Sequence, residues 1–326
     1  MMSSALLDII DLETHLQLEE GIARVVDGVS LSMNRGDTLA LVGESGCGKT
    51  MTAYSILRLV PSPPGKIVGG KICFEGEDMV SATEKRMREI RGNRISMIFQ
   101  EPLTSLNPVF KVGAQIAEVL QIHRKMKKKD ALEIASDLLN DVGIPSPARR
   151  INDYPHQMSG GMRQRVMIAM ALACEPDLVI ADEPTTALDV TVQSQIMDLL
   201  ESLKEKHKMS LLLITHDLGV VAECAKNVAV MYAGRIMELA DVNTLFGSPQ
   251  NPYTIGLLES LPHFGKSRLK PIKGMVPAII NLPSGCKFNT RCEHVFDKCF
   301  EKEPDLLEMG AENGSRHLVR CWKAKH

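Results

Sequence analysis

Between residues 5 and 33 apolar positions come in short, partly alternating runs that break at Glu19-Glu20-Gly21, the pattern of two antiparallel strands. Thr38-Leu39-Ala40-Leu41-Val42 then forms a continuous apolar run of strand length, and Met51 to Val60 carries apolar residues at helical spacing. Pro61-Ser62-Pro63-Pro64-Gly65 predicts a loop, and Lys71-Ile72-Cys73-Phe74 and Ile95-Ser96-Met97-Ile98-Phe99 predict further strands. From Leu103 to about Gln157 the texture turns helical. Val112 to His123 and Ala131 to Val142 have the spacing of amphipathic helices, and Gly143 with Pro145 supplies a stop. Met158 to Gln164 opens another helix that runs through Ala173. Leu178 to Ala181 and Leu211 to Thr215 are apolar strands, the first ending in Asp182-Glu183 and the second in His216. After about residue 245, Pro249, Pro252, Pro262, Pro271, Pro277 and Pro283 predict an irregular connector into a small terminal unit. The expectation is an α/β fold with an all-helical insertion.

Composition narrows the class. A chain of 326 residues has room for about two domains, and 24% charged with 44% hydrophobic residues is ordinary for a soluble globular protein. A formal net charge of -2 gives no reason to expect nucleic acid. The start, MMSSALLDIIDLETH, is acidic and lacks Lys and Arg, a poor secretory signal, and no apolar run approaches a membrane span. A cytosolic protein is expected, with any membrane role exercised through a partner. The basic run Arg124-Lys125-Met126-Lys127-Lys128-Lys129 is either a solvated helix end or a contact for anionic headgroups or a membrane partner.

The chemistry begins at Gly43-Glu44-Ser45-Gly46-Cys47-Gly48-Lys49-Thr50, which fits G-x-x-x-x-G-K-[ST] between a strand and a helix. Glycines let backbone N–H groups turn inward on an anion, and the helix N-terminus adds partial positive charge. Lys49 is placed to reach the β- and γ-phosphates, and the Thr50 hydroxyl to join the shell of a Mg²⁺ ion. In Met158-Ser159-Gly160-Gly161-Met162-Arg163-Gln164, Ser159 is a helix cap, and Gly160 and Gly161 admit an anion to the backbone. Asp182, at a strand tip, suits Mg²⁺ through its second shell, and Glu183 suits polarising an attacking water. His216, after another strand, suits the γ-phosphate. No aromatic lies between residues 14 and 35, so Arg24 is either the plane on which adenine stacks or an exposed strand arginine.

The ordered set GESGCGKT, Gln100, MSGGMRQ, LVIADE, ALD and His216 resembles the nucleotide-binding subunit of an ATP-binding-cassette (ABC) transporter over roughly residues 5 to 260. Gln100-Glu101-Pro102-Leu103-Thr104-Ser105-Leu106-Asn107-Pro108, the run from Asp182 to Gln193, Asn251-Pro252-Tyr253-Thr254, Pro283-Ser284-Gly285-Cys286 and Arg291-Cys292 are similar to the dipeptide and oligopeptide importer branch. The resemblance implies an ABC cassette over 1–260, with a phosphate-loop core, an antiparallel β subdomain and a helical subdomain at about 103–157, then a cysteine-rich extension over 261–326. It implies ATP held by residues Gly43 through Met51, Arg24, Gln100 and Asp182, with Ser159, Gly160 and Gly161 reaching the nucleotide of a head-to-tail partner. Thr50, Gln100 and Asp182 would serve Mg²⁺, and Glu183, Gln100 and His216 would position water. The implied partners are a second, non-identical cassette, two integral permease subunits and, indirectly, an extracytoplasmic peptide-binding protein, with the chain peripheral at the cytoplasmic face of the membrane. A short permease helix would dock near Gln100 and the helical subdomain. Met162 stands where many cassettes have Gln, and the expected adenine-stacking aromatic is missing. A soluble repair or translation cassette would show tandem cassettes, a long coiled coil or basic arms, and a kinase-like transferase would lack MSGGMRQ.

Eight cysteines call for a reason in a reducing compartment. Cys47, Cys73, Cys174 and Cys224 read mainly as small core fillers. Cys286, Cys292, Cys299 and Cys321 crowd into the last 41 residues, separated by five, six and twenty-one residues. Structural zinc favours C-x₂₋₄-C pairs, whereas these spacings suit four thiolates around an iron–sulfur cube. The resemblance points to the same [4Fe-4S] cluster. Zinc with His294 or His317 as a substitute ligand, and unliganded or oxidised thiols, are the alternatives.

Overall fold

The computed structural model describes residues 5–101, 105–186, 188–261, 271–309 and 316–324. The chain forms two compact units, one of residues Met1–Ser81 with Thr215–His326 and the other of Ala82–Ile214. Twelve strands occur among the described residues: β1 (Leu7–Leu18), β2 (Gly21–Met33), β3 (Thr38–Val42), β4 (Gly65–Phe74), β5 (Glu77–Asp78), β6 (Ile95–Ile98), β7 (Leu178–Asp182), β8 (Ser210–Thr215), β9 (Asn227–Tyr232), β10 (Arg235–Asp241), β11 (Leu307–Met309) and β12 (His317–Val319).

In the first unit β1 and β2 form the expected antiparallel pair, registered from Leu7 opposite Met33 to Leu18 opposite Gly21. Their sheet has the order β2-β1-β4-β5. A second sheet runs β11-β12-β10-β9-β3, in which β3 lies parallel to β9 and every residue of β3 is buried. A two-residue turn at Ala233-Gly234, both at positive φ, joins β9 to β10 and matches the twist of a hairpin. The helix after the phosphate loop spans Lys49–Ile56 and stops short of the expected Val60. Arg58 takes φ 50°, and Leu59 N–H donates back to Tyr54 O at 2.7 Å, with Arg58 N–H to Ser55 O at 3.1 Å. This is a Schellman closure without its usual glycine.

The stretch after residue 245 is more ordered than its prolines predict. Pro252 occupies the first turn of a helix, Pro252–Glu259, whose N-cap Asn251 accepts from Tyr253 N–H at 2.9 Å. Proline is tolerated there because that N–H has no helical partner to lose. Further on, β12 pairs with β10, placing Glu238 opposite Val319 and Leu239 opposite Leu318. Phe288 is buried in the same core as Tyr232 and Tyr253, with Cys286 and Cys292 packed against it. Pro262 and residues 263–270 lie outside the described residues.

The second unit carries three parallel strands in the order β8-β7-β6, all buried. Helices Val112–Arg124 and Lys128–Asp141 fall within three residues of expectation. Between them Lys125 takes φ 55°, and Arg124, Lys125, Lys127, Lys128 and Lys129 are exposed. Helix Gly160–Leu172 buries Val166, Met167, Ile168 and Ala169, which anchors its free N-terminus at Ser159.

Candidate functional site

Strand β3 delivers the chain to Gly43, and the loop to Gly48 folds so tightly that side chains are excluded. Gly43 has φ +153°, where a Cβ would sit 2.1 Å from Met231 O. Gly48 has φ +109°, where a Cβ would sit 2.2 Å from Val25 O. Only glycine fits both places. The Lys49 ammonium is buried and donates to Gly43 O at 2.8 Å and Glu44 O at 3.2 Å. Cys47 is fully buried, its carbonyl accepts from Gly234 N–H at 2.9 Å, and burial pushes its thiol up despite nearby Lys49. The loop is therefore a tight ring of backbone with the Lys49 ammonium folded over it. An anion's charge is what such an arrangement stabilises. Ser45 and Gly46 are exposed at its rim, and Thr50 and Met51 begin the helix. Arg24 is exposed on β2 beside a cavity of about 350 Å³ lined by His15, Ile22, Ile280 and Lys287. His216 is exposed and follows β8, and Asp217 after it caps helix Leu218–Cys224.

In the second unit the structure brings two expected catalytic residues together. Gln100 Nε2 donates to Glu183 Oε2 at 3.0 Å, and Thr186 Oγ1 donates to the same oxygen at 2.9 Å. Thr186 was not among the expected site residues. Glu183 has φ 45°, a conformation that costs a non-glycine residue about 1–3 kcal/mol. Its N–H is tied to Ile214 O at 2.8 Å, which fixes the strained residue against β8. Asp182 is 1% exposed at the tip of β7. Ser159 caps its helix by accepting from Met162 N–H at 3.3 Å, and Ser159 and Gly160 are exposed. Asp189, in the ALD run, caps helix Val190–His207 through Val192 N–H at 2.9 Å. Pro102, Leu103, Thr104 and Ala187 lie outside the described residues. Beside Gln100, a cavity of about 160 Å³ is lined by Phe99, Ser105, Leu106, Val119, Met167 and Met170.

The tail gathers its four cysteines around one cavity, together with Phe288, Phe296 and Trp322. The Cys292 sulfur accepts from His294 N–H and the Cys321 sulfur from Lys323 N–H, each at 3.4 Å. Burial, then the charge of the neighbouring thiols, pushes Cys286 up to about 11, and burial also raises Cys292 and Cys321. No group of three or more His, Cys, Asp or Glu side chains among the described residues is arranged to hold a metal ion. His294 is among the residues lining this cavity and His317 is not, its Nε2 lying 2.8 Å from the buried Glu238 carboxylate.

Comparison with known proteins agrees with this geometry. A family model described as ABC transporter matches residues 26–186, and one described as oligopeptide/dipeptide transporter, C-terminal region, matches 237–299. A probable peptide ABC transporter ATP-binding protein of Sinorhizobium fredii is 52% identical, covering 98% of this chain and 95% of its own. The oligopeptide transport ATP-binding protein AppD of Bacillus subtilis is 50% identical over 98% of this chain and 97% of its own. The dipeptide transport ATP-binding protein DppD of Escherichia coli is 48% identical over 93% of each. Among solved structures, the ATP-binding cassette MJ0796, as a post-hydrolysis dimer bound to ADP and Pi, aligns with TM-score 0.65 and 25% identity, over 72% of this chain and 98% of its own.

Proposed function

The chain belongs to the ATP-binding subunits of peptide ABC transporters, and from that premise we propose that it binds and hydrolyses ATP to power the import of dipeptides or oligopeptides. The observation that carries the reading is the Gln100–Glu183–Thr186 contact, in a chain that also has the buried Lys49 loop. Lys49 and the loop N–H groups take the phosphates, and Ser159, Gly160 and Gly161 serve the nucleotide of a head-to-tail second cassette, a non-identical paralogue. Thr50, Gln100 and Asp182 are the residues that would hold Mg²⁺, which would supply charge neutralisation at the transferred phosphoryl group. The Glu183 carboxylate orients and polarises water, with Gln100 and Thr186 fixing its rotamer and His216 reading the γ-phosphate. Arg24 offers a plane for adenine. The division is a cassette over 1–260 and an importer-family extension over 261–326.

No described helix is long and apolar enough to cross a membrane. We place the chain as a peripheral subunit at the cytoplasmic face, bound to two permease subunits that receive peptide from an extracytoplasmic binding protein. The apolar cavity beside Gln100, open between Leu106, Val119 and Met170, suits a short permease helix. Ser105→Arg and Met170→Arg are expected to cut copurification of the permease subunits at least about tenfold, because each buries a charge in that contact. Thermal melts run alongside separate this from misfolding. Normal permease recovery in both variants would remove the docking assignment.

We further propose that Cys286, Cys292, Cys299 and Cys321 hold a [4Fe-4S] cluster in a structural or regulatory role. The chemistry of the lining supports this reading, with four thiols and no carboxylate and with backbone N–H groups pointing at two of the sulfurs. Protein prepared without oxygen is expected to be brown, with about four irons per chain and broad absorbance near 400 nm. Colourless protein with one tightly held zinc would contradict it and leave the ATPase reading intact.

A further inference from the structure

Arg291 sits one residue before Cys292, far in sequence from the phosphate loop, yet its side chain is only 3% exposed and ends on that loop. Its Nη1 donates to Glu44 Oε2 at 2.6 Å and its Nη2 to Glu44 Oε1 at 3.0 Å, the two-pronged geometry that only arginine offers a carboxylate. Its Nε donates to Lys273 O at 3.0 Å, and Nη1 also donates to the Tyr232 hydroxyl at 3.4 Å. The guanidinium carbon lies 5.7 Å from the Tyr232 ring centre and 5.9 Å from that of Phe288. Those rings pack with Tyr253 at centroid distances of 4.7 to 5.3 Å. Tyr253, in turn, accepts the Glu44 N–H at 3.0 Å. The hydrogen bonds that Arg291 donates to the Glu44 carboxylate hold its charge on, and burial keeps the Tyr253 hydroxyl protonated.

Every polar group of Glu44 is thus committed. Its N–H goes to Tyr253 and its carboxylate to Arg291, while its carbonyl accepts from Lys49 at 3.2 Å and from Cys47 N–H at 3.3 Å. A ring of backbone N–H groups binds phosphate well only when its shape is set beforehand. Nothing in the phosphate-loop pattern itself requires a carboxylate at this position or a partner from the tail.

We propose that Arg291 is a positioning residue for nucleotide binding: through Glu44 it clamps the phosphate loop in its anion-binding shape, with Tyr253 as the second jaw. This rests on reading Gly43 to Thr50 as the nucleotide site. The segment that carries Arg291 also turns back on itself, with Arg291 N–H and Cys292 N–H both donating to Phe288 O at 3.0 Å. The clamp is therefore anchored in the core of the tail, and a merely local surface ion pair would not be.

The test is a double-mutant cycle on nucleotide affinity, with Glu44→Gln, Arg291→Gln and the pair, measured on the full chain by equilibrium binding of ATP and ADP. Each single variant is expected to weaken binding about tenfold, and the pair no more than either alone, because the two residues act as one unit. In the assembled transporter the loss should appear in KM, with kcat at saturating ATP within about twofold. Arg291→Lys should fall between, since it keeps the charge and loses the fork. Glu44→Gln preserves shape and guards against a variant that fails to fold. Lys49→Ala is the control: if it leaves ATP binding unchanged, the nucleotide site itself is misread. If Lys49→Ala weakens ATP binding while Glu44→Gln and Arg291→Gln leave affinity unchanged, or their effects add, the clamp is overturned and the nucleotide site stands.

Discussion

Glu183→Gln lowers the ATPase rate of the assembled transporter by about 10² to 10⁴-fold while MgATP still binds, because it removes a general base and keeps its shape. The structure makes this substitution unusually clean. An amide at position 183 can still accept from Gln100 Nε2 and Thr186 Oγ1, the two donors that fix the carboxylate now. The strained backbone at φ 45° is held by the N–H of Glu183 on Ile214 O and does not depend on the side chain's charge. Binding and turnover are therefore expected to separate, and the variant to accumulate as a closed pair of cassettes. Single-turnover and binding measurements on the same preparation check both halves. Near-normal turnover would take Glu183 out of the role.

Lys49→Ala is the second large effect, and it falls on affinity. Lys49 is buried, and its ammonium spans the carbonyls of Gly43 and Glu44, already folded over the place a phosphate would take. Removing a charged donor of this kind costs about 1.5–3 kcal/mol, which corresponds to roughly 10- to 100-fold in the ATP dissociation constant. Two carbonyls also lose their partner, so the loop is expected to loosen as well. Isothermal titration with ATP and ADP reads the change directly. Unchanged affinity would contradict the phosphate-loop assignment.

Much of this was legible in the chain because the chemistry is local. Thr38 to Val42 occurs as a strand with those ends, and the apolar run Leu178 to Ala181 occurs as a strand that takes in Asp182 and stops before Glu183. Ser159 reads as a cap from its place before two glycines and is one. Apart from Thr186, what the sequence concealed falls into two kinds. Pro252 looks like a breaker, yet a proline in the first helical turn gives up no hydrogen bond, and only the Asn251 cap before it shows which case applies. The other kind is long-range. Glu44 meets Arg291 across 247 positions and Tyr253 across 209, and β12 is three residues long before it pairs with β10. No periodicity encodes such contacts, because they arise from packing around Tyr232, Tyr253 and Phe288. Thr186 was missed for a simpler reason, since a threonine after Asp-Glu-Pro-Thr carries no signal of its own until its hydroxyl is seen on Glu183.

The central claim, that hydrolysis at this subunit drives peptide import, is tested most directly by uptake of labelled di- and oligopeptides into proteoliposomes. These would contain the permease pair, both cassettes and the binding protein, with MgATP on the cassette side. The account predicts ATP-dependent accumulation that falls at least about a hundredfold with Glu183→Gln in this chain, in step with the ATPase rate. Peptide uptake that proceeds at the normal rate with the Glu183→Gln subunit, or that needs no ATP, would contradict it.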